Sequence, residues 1–144
     1  MTSFTSRYGN PAHDYTGAHV WIHERHGCTV LAVTGRIDGN NTDDIIDCAR
    51  RVSVATSRLV LDLTGVTACT PNAVRLLRDV DEYCEQHGSQ WVLVAGGPVL
   101  QRLRGRDGSL TAPLAESVAQ AQHQFDNAVT ARRRMLLPLL RRTA

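Results

Sequence analysis

Cys69, Thr70, Pro71 and Asn72 stand where an apolar run gives way to a helical stripe, and they carry most of the chemistry this chain offers. A thiol beside a helix N-terminus suits a nucleophile or a redox sensor, because the positive end of the helix dipole favours thiolate and lowers its pKa. Cys69 is therefore the candidate redox thiol. No oxyanion-hole motif and no recognisable general base accompany it, so a small buried thiol is the commoner alternative and no enzyme is expected. Thr70 and Asn72 are side-chain types that cap helices and equally suit contact with a partner. Asp62, within Leu61-Asp62-Leu63, is a carboxylate that some α/β folds use in catalysis.

The other reactive residues form no pattern. His13, His19, His23, His26, His87 and His123 are scattered, none at metal spacing with a Cys or carboxylate. Cysteines 28, 48, 69 and 84 show no C-x-x-C pairing, which favours reduced thiols over a disulfide framework or a zinc site. Gly96-Gly97-Pro98 lacks both G-x-G-x-x-G and the lysine of a phosphate loop, so it reads as a turn. Neither metal nor cofactor is expected.

The elements that position these residues follow from periodicity. Leu59, Val60, Leu61 and Leu63 make a short apolar run suited to a strand buried on both faces, and Gly65 is read as its end. Ala73, Leu77, Val80 and Cys84, widened by Leu76 and Tyr83, form one stripe of a helix from about Pro71 to Gln86, with Gly88 ending it. Val20 to Arg25 and Thr29 to Thr34 flank His26-Gly27-Cys28 as a hairpin whose first strand is expected at the sheet edge. Thr42 is the expected N-cap of a helix with Asp43 and Asp44 in its first turn and Ile45, Ala49 and Val52 inward. Trp91 to Ala95 supplies a further strand, and a short helix after Gly96 carries Val99, Leu100 and Leu103. Gly105 to Gly108 reads as a loop. Leu114, Val118, Ala121, Phe125 and Val129 define a last helix that Pro138 ends or kinks. Periodicity supports only an α/β class.

At 144 residues and 42% hydrophobic, the chain fits one domain with an aliphatic core. No apolar stretch approaches the roughly 20 residues of a membrane span, and Met1 to Gly17 carries no hydrophobic signal. A soluble cytoplasmic protein with a polar, flexible arm over residues 1–17 is the expectation. All 16 basic residues are arginine, a bias that suits a GC-rich, actinobacterial genome. Net charge is +2 overall, but residues 127–144 carry +5 and no acid, which leaves residues 1–126 at −3. Arg132, Arg133, Arg134, Arg141 and Arg142 alternate with Met135, Leu136, Leu137, Leu139 and Leu140 in this basic helical extension and tail. The plain reading of the arginines is a solvated helix end that complements the dipole. The apolar residues are expected to pack on the domain or on a second copy of it, with a homodimer favoured over contact with an anionic membrane, and direct nucleic-acid binding is not expected.

Leu-Asp-Leu-Thr-Gly-Val-Thr from Leu61, followed by a short loop and a helix, resembles the STAS domain of bacterial anti-sigma-factor antagonists. Ala32-Val33-Thr34-Gly35-Arg36-Ile37-Asp38 resembles the family's earlier strand, and the likeness runs in order from about Val20 to Phe125. The resemblance implies a single STAS-like domain over residues 18–126, with a mixed, mostly parallel sheet of four to five strands and helices mainly on one side. It makes Asp62 a structural hydrogen-bond acceptor. It also implies docking on a kinase-like anti-sigma factor through a surface rimmed by Asp38, Asn40, Thr70, Pro71, Asn72 and Ala73, with Arg75 and Arg78 on the exposed side of the helix. The family's regulated members carry Asp-Ser-x-Gly where this chain has Thr70, Pro71, Asn72 and Ala73. The serine that the anti-sigma kinase phosphorylates is thus Pro71 here, and Thr70 is the candidate displaced acceptor. Two other functions stay open: a non-switching scaffold or dimerisation subunit, and a thiol-responsive regulatory module.

Overall fold

The computed structural model describes residues 13–25, 27–104 and 114–126. In chain order these form β1 (His13–Tyr15), β2 (Ala18–Arg25), β3 (Cys28–Ile37), α1 (Thr42–Ala55), β4 (Arg58–Cys69), α2 (Asn72–His87), β5 (Gln90–Ala95), α3 (Gly97–Arg104) and β6 (Leu114–Ala115). A final helix, α4, covers residues 118–126. The strands lie in one sheet in the order β1-β2-β3-β4-β5-β6. The first two pairings are antiparallel, and β3-β4, β4-β5 and β5-β6 are parallel.

Strand alternation divides the interior into two cores. Leu59, Leu61 and Leu63 face one side with Leu31, Val33 and Leu93, under the buried residues of α1 and α2 and Val99 of α3. Val60 faces the other side with Val30, Ala32, Val92 and Val94, covered by Val118, Ala121 and Phe125 of α4. Because both faces are covered, the central strands read as continuous apolar runs. Helices α1, α2 and α3 therefore share one face and α4 takes the other.

The α/β class and the mixed, mostly parallel sheet agree with expectation; several details do not. The sheet has six strands rather than four to five, because β1 and the two-residue β6 extend its edges. β1 is drawn from the segment read as a flexible arm, and it displaces β2 from the edge position. β4 does not stop at Gly65. Two register shifts against β3 let the strand absorb extra residues and run on to Cys69, burying Val66 on the way. Gly65 is required there because a Cβ would lie 2.5 Å from Thr34 Cγ2. Leu114, expected on the last helix, sits on β6 and is exposed.

Helix ends follow local chemistry. Gly88 caps α2 in the left-handed region (φ 67°), and the Ser89 amide donates to the Cys84 carbonyl at 2.8 Å. α1 begins at Thr42, but Asn41 holds the N-cap position and Thr42 is inside the helix. The Thr42 hydroxyl donates to the Asp38 carbonyl at 2.5 Å. No helix among the described residues is long and apolar enough to cross a membrane. The expectations for His26, Gly105 to Gly108, Val129, Pro138 and the arginine-rich tail, like residues 1–12 of the arm, lie outside the described residues.

Candidate functional site

Strands β3 and β4 end side by side, which brings together the two loops that follow them. The Thr70 amide donates to the Ile37 carbonyl at 3.0 Å, and a Cβ on Gly39 would come within 3.5 Å of Asn72 Nδ2. Asp38, Asn40, Thr70, Pro71 and Asn72 thus share one edge beyond the carboxyl ends of parallel strands, the usual place for recognition in such sheets.

Within this edge the residues differ in freedom. Asp38 staples its own loop: one carboxylate oxygen accepts from Arg36 Nε and the other from the Asn40 amide, both at 2.9 Å. Asn40 and Pro71 are exposed, while Thr70 and Asn72 are half-buried. The Thr70 hydroxyl oxygen accepts from the Asn72 amide at 3.3 Å and from Asn72 Nδ2 at 3.0 Å, so it caps the first turn of α2. Pro71 is already in the right-handed helical region (φ −55°, ψ −17°), and as proline it removes one donor that would otherwise be orphaned there.

Ala73 does not rim the surface. It is 1% exposed and packs in the α1/α2 core, which its place on the apolar stripe already required. Arg75 and Arg78 are both exposed on α2, and the Arg75 guanidinium pairs with Asp43 of α1. Arg78 makes no ion pair among the described residues.

The lowered pKa anticipated for Cys69 is also corrected. Its thiol is buried and donates to the Pro98 carbonyl at 3.5 Å, and burial pushes its pKa up despite the nearby Arg102. Arg102 Nε is spent on the Cys69 carbonyl at 2.9 Å. All four cysteines are free and buried, each with its pKa raised chiefly by desolvation. Asp62 is 2% exposed and accepts from the Thr64 amide at 3.0 Å and the Thr64 hydroxyl at 2.7 Å, the structural role expected of it. Among the described residues no group of three His, Cys, Asp or Glu side chains is placed to hold a metal.

One residue of this edge escapes sequence reasoning. Asn41 is fully buried directly behind Asp38 and Asn40, and its amide hydrogens and carbonyl oxygen are all engaged with backbone. Its neighbours Asp38, Gly39 and Asn40 signal a turn, but nothing local distinguishes an asparagine that binds a distant carbonyl from one that faces water.

A STAS domain profile matches residues 19–121. Osmosensory protein A of Mycobacterium tuberculosis is 38% identical over 146 residues, spanning 99% of this chain and 92% of that protein. An anti-sigma factor antagonist from Mycobacterium paratuberculosis superposes with a TM-score of 0.64 at 22% identity, over 74% of this chain and 92% of the other. The Bacillus cell fate determinant SpoIIAA in its phosphorylated form superposes with a TM-score of 0.57 at 11% identity, over 74% and 98% of the two chains. The structural likenesses speak to fold; the profile match and the mycobacterial relative go further, and with the strand-loop-helix edge they establish that this chain belongs to the STAS domain family.

Proposed function

We propose that this chain is an anti-sigma factor antagonist that works by binding rather than by turnover. Its partner is a kinase-like anti-sigma factor, and the docking edge consists of Asp38, Asn40, Thr70, Pro71 and Asn72, with Arg75 and Arg78 beside it on α2. The observation that carries this reading is the tie between the two loops: the Thr70 amide on the Ile37 carbonyl joins them into one surface. Arg78 adds a cation to that surface that no ion pair among the described residues consumes.

Regulation by a phosphoserine at the start of α2 has no place here. Pro71 offers no acceptor oxygen, and the neighbouring Thr70 hydroxyl is half-buried and engaged as a cap. The antagonist is accordingly constitutive at this position, with control exerted elsewhere. The relative's name, Osmosensory protein A, points to osmotic signals as the input worth testing.

Each kinase-like anti-sigma ATPase domain encoded by the source organism, purified recombinantly, would be mixed with the full chain and ATP. Complexes would be scored by native mass spectrometry and phosphosites mapped by peptide sequencing. A stable complex with at least one domain and no phosphate on the chain's α2 edge is expected. Stoichiometric phospho-Thr70 would restore a displaced switch, and failure of every domain to bind would remove the antagonist reading.

A further inference from the structure

The turn between β1 and β2 is built into the candidate docking edge. Asn41 Nδ2 donates to the Thr16 carbonyl in that turn and to the Arg36 carbonyl at the end of β3, both at 2.7 Å. Its Oδ1 accepts from the Asp38 amide at 3.0 Å. One fully buried side chain therefore holds three backbone segments, and both of its amide hydrogens are used. Beside it the Arg36 amide donates to the Gly17 carbonyl at 2.8 Å. A Cβ at Gly35 would collide with that same carbonyl oxygen, so the turn lies directly on the β3 backbone with no room for a side chain.

What presses the turn into place is a small element. β1 pairs with β2 through three residues only, His13↔Val20, Asp14↔His19 and Tyr15↔Ala18. Tyr15 is partly buried and packs against the core beneath α1 and α2. So short an edge strand opens at lower free-energy cost than β3 and β4, which are paired on both sides. If β1 lifts away, Asn41 loses the Thr16 carbonyl, and the buried amide that shapes the 38–41 loop is left with an unmet donor.

We infer that Asn41 is a positioning residue that couples the N-terminal strand to the docking edge, so that docked β1 holds the Asp38–Asn40 loop in its binding shape and release of β1 loosens it. This coupling rests on the reading of that edge as the partner surface, and it supplies a regulatory input that does not require a serine at position 71. A signal that releases β1 reaches the loop through Thr16, Asn41 and the Asp38 amide.

Amide hydrogen exchange of the full chain, read by mass spectrometry, tests the coupling without a partner. Tyr15→Ala removes the anchor of β1 but leaves Asn41 and the loop intact. It is expected to speed exchange of the Arg36, Asp38, Asn41 and Thr42 amides by about tenfold or more while β5 keeps its wild-type rate. Asn41→Ala should speed the same amides, and the double variant should add less than about twofold to the larger single effect, since both break one chain of contacts. Tyr15→Ala folds independently of the outcome for Asn41→Ala, so a misfolded Asn41 variant does not remove the test. Faster exchange confined to β1 and β2, with the 36–42 amides at wild-type rate, would overturn the proposal. Affinity for the anti-sigma ATPase domain found in the binding assay separates the two layers. A loosened loop with weaker binding supports both, whereas a loosened loop with unchanged affinity keeps the coupling and sinks the edge as the docking surface.

Discussion

Helices α1 and α2 pack on the same face of the sheet, yet their exposed sides are charged in opposite orders. α1 opens with Asp43 and Asp44 in its first turn, and Asp47 pairs with Arg50 at 2.5 Å and with Arg51 at 3.9 Å further along. Acid in the first turn complements the helix dipole, and the Asp47 pairs are satisfied within the helix. α2 has no acid in its first turn; Arg75 and Arg78 precede Asp79, Asp81, Glu82 and Glu85. Asp81 has a structural partner in Trp91 Nε1 at 2.9 Å, and Arg75 reaches across to Asp43. Of the charges in the terminal turns of α2, Arg75 at the start and Glu85 at the end run against the dipole. The pairs along α1 suit stability, and the function proposed above assigns the outer face of α2 to recognition.

If that contrast is right, it holds only on the outer faces. Leu77→Ala, in the shared core, should destabilise the domain by about 2–5 kcal/mol, as a buried leucine does wherever it lies. Urea unfolding gives the value, and a loss below about 1 kcal/mol would mean that α2 is not docked as described. On the outer faces the helices should part. Arg78→Glu is expected to weaken the anti-sigma partner by about tenfold with little change in melting temperature, while Arg50→Glu on α1 leaves affinity alone. Equal effects of the two, measured by biolayer interferometry, would erase the distinction.

The thiols give a middle-sized effect that both helices share, through Cys48 on α1 and Cys84 on α2. Burial raises the pKa of all four cysteines and of Tyr15 above their ordinary values, 9.0 for the thiols and 10.0 for the phenol. The unfolded chain therefore loses these protons first. The associated stability is fully present below pH 9 and is lost as the pH rises through the raised folded values. Urea midpoints should fall steadily above that pH, and thiol alkylation of the native chain should stay slow at neutral pH. Rapid alkylation of Cys69 at neutral pH would revive the redox reading. The smallest effect expected is that of Glu85→Arg, which brings the end of α2 into line with its dipole. A gain of about 0.3–1 kcal/mol in unfolding free energy is anticipated, and a loss would show that Glu85 has a structural partner.

Much of this arrangement is legible in the order of the residues, for physical reasons that also explain the failures. Leu59 to Leu63 and the stripe from Ala73 to Cys84 are period-2 and period-3.6 signals that tertiary packing reinforces. Gly65 misleads because glycine marks both strand ends and bulges, and only the approach of Thr34 tells them apart. Leu114 keeps helical spacing with Val118 although the chain there pairs with Leu93 as a strand. At the candidate edge, the choice of Asp38, Asn40, Thr70, Pro71 and Asn72 comes from the family resemblance, carried over position by position. The burial of Ala73 is implicit in its stripe position, but motif matching places it on the surface. The pKa of Cys69 goes the other way from expectation because desolvation outweighs a helix end. The tie from Asn41 to Thr16 carries no local signal, since Thr16 is 25 residues away and contributes only a backbone carbonyl.

The most direct test of the account is a calorimetric titration of the full chain into the recombinant kinase-like anti-sigma ATPase domains of its source organism, with Asn72→Glu run beside the wild type. Asn72 lies between the two loops, so a carboxylate there meets any partner seated on the edge, while its half-buried position leaves the core untouched. The account predicts saturable one-to-one binding to one such domain, weakened about tenfold or more by Asn72→Glu at an unchanged melting temperature. Wild-type affinity in the Asn72→Glu chain would contradict it.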